Sequence, residues 1–342
     1  MRKKWKRKIL INNPVELDLA QIKQDLRDGN QVIVQFSHPD YYASNTMLEK
    51  VDELCARLDE NFGVRFYGHY SHLFDGHTLL RIPHVKMLHL NSLVQAHNTE
   101  TLATLEHLYS LNLGIYELEN SEILGFEALH SLRDLVIMSD KKILNLKYFK
   151  AFAHLENLHV GGKVKNLDTI GDLDGLSYLA LHSISKLPLH FINQLKKLKH
   201  LRILFGGREH IQDIEENEID DLELCRVRGF HDLSNITKFR ALTSLRIEDQ
   251  AQLREISFDR GMEALKEISV MNCKALSCLS EMERLPSLSK LRIFKTAIDY
   301  HSFIQQNLPS TLSEFEFITS KSKVDKEIQD ALSRQGFRNW SI

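Results

Sequence analysis

The chain has 342 residues, with 44 lysines and arginines against 46 aspartates and glutamates and a formal net charge of -2. That balance gives no overall attraction to phosphate backbones, which counts against dedicated nucleic-acid binding, and an apolar content of 43% excludes a disordered chain. Cys55, Cys225, Cys273 and Cys278 show no C-x-x-C spacing and are too few for a disulfide-stapled scaffold, so they read as reduced thiols.

The first eight residues carry six Lys or Arg, but Ile9, Leu10 and Ile11 are followed at once by Asn12, Asn13 and Pro14. The apolar stretch of a signal peptide is missing, and no run of 18 apolar residues occurs anywhere, so the expected place of work is the cytoplasm, with no membrane span. The basic start, Arg2 to Lys8 with Trp5, reads as a solvated tail, its competing use being a nucleic-acid contact. Val32-Ile33-Val34-Gln35-Phe36 has the composition of a strand. Met47, Leu48, Val51, Leu54, Cys55 and Leu58 then recur at helical spacing behind a Thr46-x-x-Glu49 capping box. Val64 and Phe66 read as a further strand, so residues 1–60 are expected to form a small β-α-β cap. This segment holds neither a G-x-x-x-x-G-K-[ST] loop nor a G-x-G-x-x-G turn, so an enzyme or nucleotide sensor housed there would lack the usual phosphate cradle.

From Val85 onward one pattern repeats. An L-x-x-L-x-L core begins at Val85, Leu108, Leu132, Leu155, Leu176, Leu198, Ile219, Leu242, Leu265, Leu288 and Leu312, in steps of 21 to 24 residues. All 33 core positions of these eleven frames are Leu, Ile, Val or Phe. A unit this short cannot bury its own apolar strand face, so neighbours must stack and share a core. After the last frame, Val324, Ile328, Ala331 and Leu332 recur at helical spacing, followed by Phe337 and Trp340, which gives a closing helix and tail over 320–342.

This pattern resembles the leucine-rich-repeat family over residues 61–319. Met271-Asn272-Cys273-Lys274-Ala275-Leu276, followed by Leu285-Pro286-Ser287-Leu288, is similar to the irregular repeats of intracellular immune receptors. The resemblance implies an α/β solenoid, a curved horseshoe of about eleven repeats with a parallel concave sheet. The family often places Asn or Cys three residues after the strand to tie adjacent turns; Cys273 keeps that position, while Leu93, Ile184, Gly206, Val227, Gln250 and Thr296 depart from it.

The resemblance also implies a non-catalytic protein-protein interaction module, with an inhibitor or immunity-type protein as its sharper form. No catalytic residue and no cofactor are assigned. His69, His72, His77, His84 and His89 cluster in sequence, yet they fall at different positions of the repeat and read as loop and surface histidines, not metal ligands.

Alternation along a strand sends two apolar residues of each unit inward and their neighbours to the concave surface. The residue between the two core positions is in turn His89, Asn112, Val136, His159, Ala180, Arg202, Glu223, Arg246, Ser269, Arg292 and Glu316. Arg202, Glu223 and Arg246 alternate in sign, as in a ladder of neighbouring ion pairs. One residue past the core the chain shows Met138, His182, Leu204, Met271, Phe294 and Ile318, with Phe205 adjacent to Leu204. Large apolar side chains without core duty, mixed with Arg and Tyr, mark a contact surface. The expected protein-binding residues are His159, Tyr178, His182, His200, Arg202, Leu204, Phe205, Arg246, Met271, Arg292 and Phe294. Glu209 to Glu223 holds eight acidic residues, with Glu216 in place of an apolar one, and offers a second candidate contact for a basic partner.

Overall fold

An apolar side chain at every second position favours extended backbone with one face buried, and the eleven triplets take that form. In the computed structural model, which describes residues 7–43, 46–69, 72–185 and 188–340, all 33 triplet side chains are buried. The chain divides into two compact units, Met1–Gly175 and Leu176–Ile342.

In the first unit, seven parallel strands lie side by side in sequence order among the described residues: Lys8–Asn12, Gln31–Phe36, Phe62–Tyr67, Met87–Leu93, Ser110–Ile115, Asp134–Asn145 and Asn157–Lys165. The expected strand at Val32 to Phe36 and the helix Met47–Arg57 are present. In front of them stand an additional strand, Lys8–Asn12, and helix, Leu19–Arg27, that the sequence did not announce. Lys8, expected in a solvated tail, therefore opens a paired strand, in register with Gln31. Trp5 and the other basic residues up to Lys6 lie outside the described residues. The expected capping box does not form. Thr46 makes no side-chain cap bond, and Glu49 instead takes two bonds from the Arg81 guanidinium at 2.8 and 2.9 Å.

The second unit holds another seven parallel strands among the described residues: Tyr178–His182, His200–Leu204, Asp221–Cys225, Ser244–Glu248, Glu267–Met271, Lys290–Phe294 and Glu314–Ile318. Short 3-10 turns carry the chain back between strands, for example His190–Gln194, Ile236–Lys238 and Met282–Arg284. The final helix, Ser322–Arg334, buries Ile328 and Leu332. The tail then runs beside the last strand. Phe315 N–H donates to the Arg338 carbonyl at 3.0 Å, and Arg338 N–H donates to the Ser313 carbonyl at 2.9 Å.

Each strand of the second unit before the last ends in the same device. Ser183, Phe205, Arg226, Asp249, Asn272 and Lys295, the residues just past the strands, all have φ between 50° and 60°. The left-handed turn steers the chain out of the sheet while keeping the backbone ladder unbroken. Each N–H donates to the last strand carbonyl of the following repeat, at 2.7 to 2.9 Å. None of the six is glycine: Ser183, Phe205, Arg226 and Lys295 carry a steric cost of about 1–2 kcal/mol that the ladder bond helps to offset, and Asp249 and Asn272, residue types that visit this region, carry less.

Two buried side chains tie repeats together at the position where Asn or Cys was looked for. Cys273 Sγ lies 3.9 Å from the Ile247 carbonyl and 3.4 Å from that of Met271. Gln250, which departs from the family residue type, does the same work: its amide donates to the Leu224 and Glu248 carbonyls at 3.1 and 2.9 Å. Among the described residues no helix is long and apolar enough to cross a membrane.

Candidate binding face

The strand register sets out the open face of the second unit in three rows. The middle row is Ala180, Arg202, Glu223, Arg246, Ser269, Arg292 and Glu316, each paired with the next across the sheet. Before it runs Tyr178, His200, Asp221, Ser244, Glu267, Lys290 and Glu314. Past it runs His182, Leu204, Cys225, Glu248, Met271, Phe294 and Ile318. One margin of the face is thus polar and charged, and the other largely apolar.

Ten of the eleven expected residues fall in this unit. Nine are half-buried and one, Tyr178, is buried at 8% exposure. His159 sits in the first unit, half-buried on the strand Asn157–Lys165. Tyr178 is a platform: the Arg202 guanidinium lies 5.6 Å above its ring, and the His200 ring is 6.3 Å away. Phe205 packs against the His182 ring at 4.9 Å, with the Arg226 guanidinium 5.6 Å above Phe205.

The expected ion ladder forms only in part. Arg202 Nε pairs with Glu223 at 3.0 Å, and Arg292 pairs with Glu316. Arg246 has neither hydrogen bond nor ion pair among the described residues: Ser269 faces it on the next strand, and Glu223, in register on the preceding one, is paired with Arg202. Arg292 is also covered by the chain's own tail, its guanidinium 5.0 Å from the Trp340 ring, with Lys290 Nζ at 5.9 Å. Of the three expected arginines, Arg246 alone makes no ion pair.

The acidic segment is largely spent inside the unit. Glu223 holds Arg202, Glu216 holds Arg240 at 2.6 Å, Glu218 lies 3.8 Å from Lys199, and Asp220 and Asp221 both lie 3.6 Å from His200. Asp213 accepts the Leu189 N–H and lies 3.8 Å from Arg208. Ile211 and Ile214 are fully buried and anchor the loop, and the Asn235 amide clamps both their carbonyls at 2.8 and 3.2 Å.

Glu248 and Glu267 on the open face were missed by reading single residues of interest. Glu248 occupies the row of Met271 and Phe294, so taking that row through every repeat would have found it. Trp340 had no such signal. Cys225, in the same row, is no nucleophile: burial, with the Glu248, Asp249 and Glu223 carboxylates, pushes its thiol up to about 11.

On the first four strands of the first unit the open face is crossed by an amide network, while Asn112, Val136, Met138 and His159 on the later strands are half-buried. Arg65 donates to Asn91 at 2.7 Å and to Gln35 at 3.1 Å, and Gln35 donates to Asn12. Two histidines expected at the surface are buried there. His69 is 2% exposed, bonded to the Tyr42 hydroxyl at 3.0 Å, and His89 is 9% exposed.

No family model and no curated protein matches the sequence. Solved structures match the chain at low identity and low TM-score. A leucine-rich-repeat protein of Leptospira interrogans is 14% identical with a TM-score of 0.45, over 93% of this chain and 91% of that one. A TLR13–ssRNA13 complex is 14% identical with a TM-score of 0.43, over 96% of this chain, which spans 60% of the TLR13 chain. Internalin C2 of Listeria monocytogenes is 16% identical with a TM-score of 0.36, over 64% of this chain and 83% of that one. Eleven L-x-x-L-x-L units, each giving a parallel strand with its triplet buried, give both units of this chain the leucine-rich-repeat fold.

Proposed function

We propose that the chain is a non-catalytic binding module that holds a protein partner on the open face of its second unit. One observation carries this: Leu204, Met271, Phe294 and Ile318 stand half-exposed on a sheet face whose core duty is done by other residues, on the same face as Arg246, which makes no ion pair among the described residues. Apolar side chains on one face with such a guanidinium are the composition of an interface centre, where aromatic, Met and Arg side chains dominate binding energy. Residues 1–60 and 320–342 serve as closing segments. The setting is the cytoplasm, and an enzyme blocked by occupation of its surface is the sharper form of partner.

The test is affinity capture from native cell extract on the immobilised full chain, treated with nuclease, beside a Met271→Ala/Phe294→Ala variant. A retained protein that disappears with the variant, while thermal melting is unchanged, is the expected result. Equal retention by both chains, or retention abolished by nuclease, would contradict the proposal.

A further inference from the structure

Resting on that protein-binding role, we infer that the open face reads a peptide segment carrying an acidic side chain between two basic ones, with apolar side chains along one edge. The neighbouring arginines show what Arg246 lacks. Arg202 and Arg292 each receive a carboxylate from the following strand, Glu223 and Glu316, whereas the same position beside Arg246 is Ser269. Ser269 is only 4% exposed, a small side chain sunk between Arg246 and Arg292, so the surface dips where a carboxylate would stand. A partner's Asp or Glu fills that place.

Two further charges flank it. Glu248 lies two residues beyond Arg246 on its own strand and on the same face, and Glu267 lies across the sheet from Ser244. At strand spacings of about 4.8 Å and about 3.3 Å per residue, these positions lie about 7 and about 8 Å from Arg246 at the backbone. Neither carboxylate makes a hydrogen bond or ion pair among the described residues: the Arg226 guanidinium near Glu248 is bonded to Asp249, and Lys290, in register with Glu267, is paired with Glu314. Their diagonal placement on opposite sides of Arg246 calls for a basic group on each side of the incoming acid. The same two carboxylates repel a nucleic-acid backbone, which offers phosphates alone. Met271, Phe294 and Ile318 follow on three consecutive strands and supply an apolar border about 10 Å long.

The experiment selects a random displayed peptide library on the full chain and, in parallel, on the charge-swapped variant Arg246→Glu/Glu248→Lys/Glu267→Lys. The milder Arg246→Gln is carried alongside in case the triple variant fails to fold. The expected consensus on the unmodified chain is an acidic residue bracketed by Lys or Arg next to apolar positions. Selected peptides should bind Arg246→Gln at least about tenfold more weakly, and the swapped chain should enrich the opposite sign pattern. One consensus shared by both chains, no enrichment, or binding of a labelled single-stranded oligonucleotide that depends on Arg246 would overturn the inference. Enriched peptides of any charge pattern that lose binding in Met271→Ala/Phe294→Ala would overturn the charge code alone. Peptides indifferent to that substitution would overturn the binding face as well.

Discussion

At the scale of single residues, what the side chains do depends on what the next strand puts opposite them. Arg202, Arg246 and Arg292 occupy equivalent positions in one row, yet two are neutralised and one is not. The alternation of Arg202, Glu223 and Arg246 in sequence suggested a continuous ladder. Glu223 stands in register with both arginines, however, and its carboxylate is turned to Arg202. Pair choice is a matter of rotamer and distance, which sequence spacing does not record. His89 shows the same limit. Its row position was legible, but its burial depends on the Arg65 network beside it. Burial first, then the nearby charges of Lys8 and Arg65, pushes its imidazole down to about 3 from the ordinary 6.5. The folded pKa lies below the unfolded one, so the unfolded state binds the proton first as the medium acidifies. The stability that depends on a neutral His89 is full above about pH 6.5 and falls progressively toward about pH 3. The urea midpoint should therefore drop between pH 7 and 4, and His89→Leu should make that drop shallower. An unchanged pH slope in the variant would remove His89 from the acid response.

At the scale of elements, the eleven repeat strands were legible because their triplets are both periodic and wholly buried, so composition and position say the same thing. The additional strand Lys8–Asn12 was hidden by its setting, five residues between a basic run and Asn-Pro, too short for a pattern. Helix Leu19–Arg27 buries a single residue, Ile22, and so writes almost no apolar stripe. The left-handed turns after the strands were equally silent, since glycine, their usual marker, is absent at all six. These turns are predicted to tolerate shape and resist branching. Asn272, at φ 56°, should accept Gly with little change, whereas Asn272→Val should cost about 1–2 kcal/mol, measured by urea denaturation. Equal stability of the Val and Gly variants would mean that the ladder bond to the Phe294 carbonyl does not fix the turn.

At the scale of the molecule, the division of labour runs between buried triplets and the rows beside them. The triplets hold the stack and leave the open-face rows free to vary without disturbing the core, the property that suits repeat proteins to recognition. The first four strands of the first unit use their rows for an amide network around Arg65, while the second unit leaves Arg246, Glu248 and Glu267 without a side-chain hydrogen bond or ion pair beside an apolar border. Site-specific photo-crosslinking addresses this contrast most directly, with a photoreactive residue placed in the cell either at Met271 on the open face or at Glu263 in the exposed turn that leads into the same strand. The account predicts a discrete crosslinked protein from position 271 and none from 263. Crosslinking from 263 with silence at 271 would place recognition away from the open face and contradict it.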